Sequence, residues 1–489
     1  MPSPHEEKDL SLWVALAPIL FMMTSVVVGH MILKIDLRFI LLLSAIVAGC
    51  TAWLCGVKTD ELFEVYGNNI KRAFPVLLIL MAIGGIVGTW MYSGTVPMLI
   101  YYGLKILHPD FVLVSAFLVT AIVSTFTGTS WGSAATSGVA FIGIGASMGL
   151  PLPMVAGAAL SGAVFGDKVS PISDTTNLCS LASDVTVYQH IRSMLPNVIL
   201  SGILAAGGFL ALGMFYSQHQ MNTSGVERIL FELDQIYDFN IFMLLPALVV
   251  FIGGYKGYNP VVLMVASCIL AIIVGSLSNG FAAADGANAI FSGFHLSMAG
   301  NNEISETLQV LLNRGGIEGM LTGAVLFAIL AIGFGSFLEA FGALNRLMRG
   351  LLKVVKGAYE LVLAAFFTGG VLNAVSGNAA FSILTTGQMF RAPFRRKNIS
   401  LTLLSRSMEN SMTLLESLLP WHVTAIYMVG IFGVSTFEYL PYAFFNIAGI
   451  LLFFIIAWRQ VRKIGNDQVL NALNEPIEEL NDLPSRDVS

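Results

Sequence analysis

The chain has 489 residues, 56% hydrophobic and 11% charged, with a formal net charge of −5 and a mean hydropathy of +0.78. That balance excludes a soluble globular domain. With no basic stripe on a separate soluble domain, it also excludes a nucleic-acid partner and leaves the lipid bilayer as the implied surroundings.

A hydrocarbon core about 30 Å thick takes roughly 20 apolar residues per crossing helix. Residues 1–10 are mostly polar and read as a cytoplasmic tail, and the runs Leu12 to Ile32 and Leu37 to Cys55 that follow are long enough to cross. No small-residue cleavage site accompanies the first run, so it is expected to be retained. An amphipathic stretch from Glu61 precedes the Gly-rich run Val76 to Tyr92, and Phe111 to Gly149 is expected to form a re-entrant hairpin. Within it, Gly128 to Gly138 reads GTSWGSAATSG. Small residues permit close helix approach, and the hydroxyls of Thr129 and Ser130 with unwound carbonyls can replace the water around a cation.

The string GDKVSPISDTTN (Gly166 to Asn177) then places Asp167, Lys168 and Asp174 directly behind an apolar run, with Pro171 to break the helix. A charge near the bilayer centre costs about 2.5 to 3.5 kcal/mol even on insertion scales, so this cluster must either neutralise itself or bind something. Asp174, followed by Thr175, Thr176 and Asn177, offers one formal charge among neutral oxygens, which suits a monovalent cation, Na+ above all. It is the expected exchanged carboxylate. Asp167 next to Lys168 reads as a structural partner that lies at or beside the cation.

Residues 218–238 read as an external loop, after which Phe239 to Ile252, Val261 to Leu277 and Met320 to Phe341 continue the spans. Glu339 closes the last of these, and a second hairpin is expected over Leu361 to Phe390, with Asn373, Ser376 and Asn378 able to line a site. The run LSRSMENSMTLLESLLPW that ends at Trp421 carries Arg406, Glu409, Asn410 and Glu416. Glu409 and Glu416 would share a face of one unbroken helix, and a break between them would change that. Arg406 is the natural internal partner for Asp167 or Glu409, so Lys168 and Arg406 together are expected to form the structural ion pairs. His422 reads as a hydrogen-bonded histidine rather than a proton carrier, and the cysteines (Cys50, Cys55, Cys179, Cys268) as small buried hydrophobes without metal-ligand spacing. Phe437 to Trp458 is the final span, and 459–489 a cytoplasmic tail.

The fold class is therefore an all-α polytopic membrane protein. Residues 11–217 and 239–458 repeat the same order of elements, each with about five spans, a re-entrant hairpin and an interrupted helix. An odd number of crossings per half inverts the second repeat, the architecture of alternating-access transporters. The positive-inside rule puts both termini in the cytoplasm, since only Lys34, Arg38, Lys105, Arg228 and Arg314 then fall in external loops.

On the strings GTSWGS, AGAALSGAVFGDKVSPISDTTN, NRGGIEGM and LSRSMENS followed by PW, the chain resembles the NhaC family of sodium/proton antiporters over nearly its whole length. The resemblance implies exchange of Na+, with Li+ as a further cation, for H+ in a bacterial inner membrane, and a homodimeric assembly. Asn410 stands where that family more often has an acidic residue. Part of the family resembles malate/lactate exchangers, so a Na+/H+-coupled organic-anion exchanger is the alternative. No catalytic signature for an enzyme and no cofactor motif occurs.

Overall fold

A computed structural model describes residues 10–462 apart from 172, 221–222, 257, 301–304, 306–307, 310–311, 314, 345, 348–354, 356 and 378. Asn378 and most of both tails thus lie outside the described residues. Every regular element among those described is helical, as unhydrated backbone in hydrocarbon requires. Nine of these helices are long and apolar enough to cross a membrane, or up to eleven if each of two bent pairs counts as one span.

Helix α1 (Leu12–Ser25) runs on through a π turn to Ile32 and packs on α2 (Leu37–Leu54). Asp36 starts α2 by accepting the Arg38 amide at 2.8 Å, which satisfies one free N–H of the first turn. The amphipathic stretch from Glu61 and the Gly-rich run after it are one helix, α3 (Thr59–Ser93), of 35 residues. At 1.5 Å per residue it is about 50 Å long, longer than the bilayer core is thick.

Beyond α4 (Thr95–Ile106), the segment expected as the first hairpin forms α5 (Val112–Thr127), itself long and apolar enough with the turn before it to cross a membrane, then α6 (Ser130–Ser133) and α7 (Val139–Ser147). The reversal is at Gly128, whose φ of 67° lies in the left-handed region that glycine tolerates. Next come α8 (Leu152–Val169), α9 (Asp174–Ala182) and α10 (Val187–Gln220). Within 218–238 the chain forms a helix, α11 (Thr223–Ile236), tied to α4 by the Tyr101 hydroxyl, which donates to Asp234 at 3.2 Å.

The second half holds α12 (Leu245–Tyr255), α13 (Pro260–Asn279), α14 (Ala283–Ser292), the short α15 (Ile317–Met320) and α16 (Leu326–Ala340). Its hairpin is α17 (Ala358–Ser376) and α18 (Ala379–Arg396), again reversed at a left-handed glycine, Gly377 with φ 61°. Then follow α19 (Leu401–Thr413), α20 (Val423–Phe432), α21 (Thr436–Tyr439) and α22 (Phe444–Val461). The span expected over Phe437 to Trp458 is therefore broken, by a 3-10 turn at Leu440–Tyr442.

Three large apolar clusters and a small fourth one around Met98, Met243 and Val274 hold these helices together. The largest joins α3, α4, α5, α7, α8 and α10 around Trp90, Phe117 and Phe209. The second lies between α17, α18, α19 and α22 around Phe366, Phe390 and Met408, and the third joins α1 and α2 to α16. Large apolar side chains such as Trp53, Ile203, Ile269 and Leu277 remain exposed on the outside, where lipid takes the place of a protein neighbour.

The contact that sets the position of the site is α5 against α8. A methyl group at Gly162 would stand 2.2 Å from the Phe117 carbonyl oxygen, and one at Gly166 only 2.3 Å from that of Ala121. Glycines four apart thus form a groove into which the other backbone fits. Ser124 locks it by donating to the Ala163 carbonyl at 2.6 Å. The last turn of α8 is thereby held where the two larger clusters meet.

Candidate ion-exchange site

Helix α8 ends in two buried ionisable residues, Asp167, 7% exposed, and Lys168, fully buried. Pro171 follows within the break that the sequence predicts, and the chain resumes as α9 at Asp174. The Asn177 amide braces this break by donating to the carbonyls of Pro171 at 2.9 Å and Ser173 at 2.8 Å. Thr176 closes it by reaching back to the Asp167 carbonyl at 3.4 Å. Asn177 and Thr176, expected as ion ligands, thus act on the backbone of the break.

The Asp167 carboxylate is approached by the Ser173 hydroxyl from the break and by the hydroxyl and amide of Ser130. Ser130 begins α6 directly after the Gly128 reversal, and the Thr129 hydroxyl before it caps that turn by accepting the Gly132 amide at 3.3 Å. The break at Gly128 and the α8/α9 break therefore meet at one carboxylate.

The Lys168 ammonium donates to the Thr413 hydroxyl at 3.0 Å and lies within electrostatic range of Glu409, Asp167 and Glu416, although no ion pair among the described residues includes it. Helix α19 ends at Thr413, so Glu409 is helical while Glu416 lies in the irregular segment beyond it. The common helical face considered for the two glutamates does not form, yet both lie in range of the same lysine. Glu416 is held from the far side by Thr424 and Asn373. Asn373 in turn bonds the His422 Nε2 at 3.1 Å, while His422 Nδ1 accepts the Thr424 amide at 3.1 Å. Both ring nitrogens are engaged in the neutral tautomer, as expected of a hydrogen-bonded histidine.

Glu409 is completely buried. Its Oε1 accepts from Thr175 at 3.3 Å, but Oε2 has no hydrogen-bond partner. The nearest ring, His190 on α10, brings Nε2 to 3.9 Å from that oxygen, and this nitrogen also lacks a hydrogen-bond partner. His190 Nδ1 lies 2.9 Å from the Ser405 hydroxyl, whose own proton goes to the Thr402 carbonyl at 3.0 Å. The imidazole proton therefore points at Ser405, and two bare lone pairs, Nε2 and Oε2, face each other. A proton or a monovalent cation is what such a pair of acceptors can take up.

Several expectations are revised. Arg406 is 2% exposed but pairs with neither Asp167 nor Glu409. Its Nη1 donates to the Ser193 carbonyl at 3.0 Å and its Nη2 bonds Gln460. The reason is direction, since Arg406 turns toward Ser193 of α10 and Gln460 of α22, while Glu409 turns toward Thr175 of α9 and the earlier His190 of α10. Asp174 is exposed at the first position of α9, apart from the buried carboxyls of Asp167, Glu409 and Glu416. Glu339 accepts from Asn69 of α3 at 2.8 Å, and Ser376 lies 3.2 Å from Ser382. Asn410 accepts from Asn197 at 3.3 Å and keeps a buried amide nitrogen without a partner.

Sequence reading missed His190, Ser173, Thr413 and Thr424. A lone histidine inside a span is the one signal that could have pointed to His190. A cavity of about 660 Å³ lined by Asp36, Arg38, Phe327 and Phe437 includes none of the buried carboxyls. Their burial and mutual approach mark the site more directly than cavity size does.

Residues 10–176 and 162–459 match the Na+/H+ antiporter family. The chain is 34% identical to a malate-2H(+)/Na(+)-lactate antiporter of Bacillus subtilis, over 87% of this chain and 90% of the relative. It is 32% identical to the arginine/ornithine antiporter ArcD of Halobacterium salinarum, over 94% of each. It is also 30% identical to the Na(+)/H(+) antiporter NhaC of Alkalihalophilus pseudofirmus, over 90% of this chain and 94% of that one. A multi-pass helical bundle with carboxyls buried at paired helix breaks, matched along its length to these transporters, belongs to the NhaC-type Na+/H+ antiporter family.

Proposed function

We propose that the protein exchanges Na+, and Li+ in its place, for H+ across a bacterial inner membrane by alternating access, with Glu409 and Asp167 as the carboxyls for which cation and proton compete. The observation that carries this reading is the open Oε2 of the buried Glu409, with the buried carboxyls Asp167 and Glu416 and the single buried ammonium of Lys168 in electrostatic range. One ammonium balances one carboxylate, so the remaining negative charge calls for a cation or a proton in a medium that stabilises ions poorly. Among the described residues no three His, Cys, Asp or Glu side chains converge as at a metal site. A sodium ion here takes one carboxylate oxygen, with hydroxyl and carbonyl oxygens from the adjoining breaks. Asp174, exposed at the start of α9, attracts the cation toward the site.

Both termini are cytoplasmic, the two halves are inverted repeats, and the protein works as a homodimer in this reading. A second reading, exchange of organic acids coupled to Na+ and H+, is favoured by the similarity to the lactate antiporter.

Purified protein in proteoliposomes carrying a pH-sensitive dye tests these assignments. Glu409→Gln and Asp167→Asn are expected to abolish Na+-dependent proton movement. Asp174→Asn should weaken apparent Na+ affinity by no more than about fivefold, the effect of one exposed charge. Normal exchange in Glu409→Gln would overturn the site. Proton movement that requires added malate or lactate would favour the second reading.

A further inference from the structure

A cavity of about 310 Å³ lies where the first turns of α10 and α19 meet the last turn of α22. Its polar lining is Arg192 and Ser193 from α10, Ser400, Thr402 and Arg406 from α19 and its cap, and Gln460 from α22. None of these side chains is acidic. Arg406 is 2% exposed, and no ion pair among the described residues includes it. Ser193 and Gln460 occupy its two terminal nitrogens, while Nε is buried and has no hydrogen-bond partner. A buried guanidinium without a counter-ion is costly, because desolvation is not offset by any opposite charge.

Two further features converge on the same space. The 13-residue α19 begins here and brings the positive end of its helix dipole, although the Thr402 and Leu403 amides of its first turn are bonded to Ser400. Ser400 Oγ accepts the Thr402 amide at 3.3 Å and lies 2.7 Å from the Thr402 hydroxyl. One hydroxyl proton satisfies that pair, so the other remains to be donated. Arg192 adds a second guanidinium at the exposed side of the cavity.

We propose that this cavity is an anion site that binds a phosphate group, with Arg406 Nε, Arg192 and the Ser400/Thr402 hydroxyl pair donating to its oxygens. Two guanidinium groups, a hydroxyl and a helix N-terminus line the cavity, Arg192 from α10 and the rest from α19 and its cap, a donor set that matches a phosphate with several oxygens better than a planar carboxylate with two. The phosphate belongs either to the headgroup of an anionic phospholipid, because three helix ends place the cavity at one face of the bundle, or to a soluble phosphate. Occupation joins α10, α19 and α22 through one ligand and supplies the counter-charge that Arg406 lacks. The site is independent of the exchange carboxyls, so it stands whichever cargo the protein carries.

The test uses the full chain, delipidated in detergent and reconstituted in nanodiscs. Inorganic phosphate is expected to raise the melting temperature saturably, while chloride at equal ionic strength does not. In nanodiscs, phosphatidylglycerol should stabilise the protein relative to phosphatidylcholine and remain bound in native mass spectrometry. Response to phosphatidylglycerol assigns the lipid source and response to inorganic phosphate alone the soluble one, and either supports the site. Arg192→Gln and Thr402→Val should each weaken the apparent affinity about tenfold, as loss of a charge-assisted or buried hydrogen bond does. Arg406→Lys should remove the response, and the other two variants keep the test decisive if it does not fold. Absence of a saturable response to both probes, or an undiminished response in Arg192→Gln and Thr402→Val, would overturn the proposal. So would a response that appears only after deletion of residues 465–489, since the acidic tail would then be the occupant.

Discussion

Lys168 is the residue around which the site's charges are arranged. Fully buried, it donates to Thr413 and lies within electrostatic range of Asp167, Glu409 and Glu416. Its loss would remove the buried positive charge near those carboxyls, and leaving buried charge uncompensated typically costs about 3 to 5 kcal/mol. Lys168→Met is therefore expected to cut the yield of folded protein sharply. The double variant Lys168→Met with Glu416→Gln should recover much of it, because a positive and a negative charge leave together. Yield after size-exclusion chromatography checks this, and a double variant no better than the single one would show that Lys168 acts through packing alone. The importance of Lys168 is legible in the chain, because a lysine flanked by Asp167 within an apolar run needs a reason to be there. Its third partner, Glu416, is not, because 248 positions separate the two and only folding brings them together.

Helices make this cluster possible by coming very close or by stopping. The approach of α5 to α8 fixes where Asp167 meets Ser130, and it depends on Gly166, where a Cβ would stand 2.3 Å from the Ala121 carbonyl. Gly166→Ala must push the helices apart, and overpacking of this sort costs about 1 to 3 kcal/mol. A lowered melting temperature and reduced exchange are the expected outcome. Gly207→Ala on α10 is the control, since nothing lies within 4 Å of its added methyl group. It should leave exchange unchanged and stabilise slightly, by up to about 1 kcal/mol, through helix propensity. Equal effects of the two substitutions in thermal unfolding would refute the close-packing account. The glycine spacing of α8 is visible in the sequence, but its partner surface on α5 is not. Helix ends are partly legible. Pro171 announces the break before α9, while the end of α19 at Thr413 has no proline near it to mark the boundary.

For the whole molecule, orientation is the property that transport direction depends on. The proposed cytoplasmic placement of both termini predicts that single cysteines at two exposed positions differ in access: Arg396→Cys at the end of α18 should be labelled from the cytoplasm, and Lys34→Cys between α1 and α2 from outside. Cys50, which is exposed, and the partly exposed Cys55 must first be replaced by serine. A membrane-impermeant maleimide applied to intact cells and to inverted vesicles reads the result. Labelling of both positions from one side would remove the inverted repeat.

Composition alone determined that this chain spans a membrane as helices, because an apolar, charge-poor sequence has one stable way to satisfy its backbone in lipid. Its rare charges, placed beside helix-breaking residues or within apolar runs, likewise single out Asp167, Lys168 and Glu409, since each such charge must be neutralised or used. Only the tertiary structure decided which carboxyl is buried with a free oxygen, that His190 faces it, that Asp174 stands exposed and that Arg406 turns away to a separate pocket. The physical reason is that burial and pairing depend on the direction of each helix face and on groups far apart along the chain, and local pattern encodes neither.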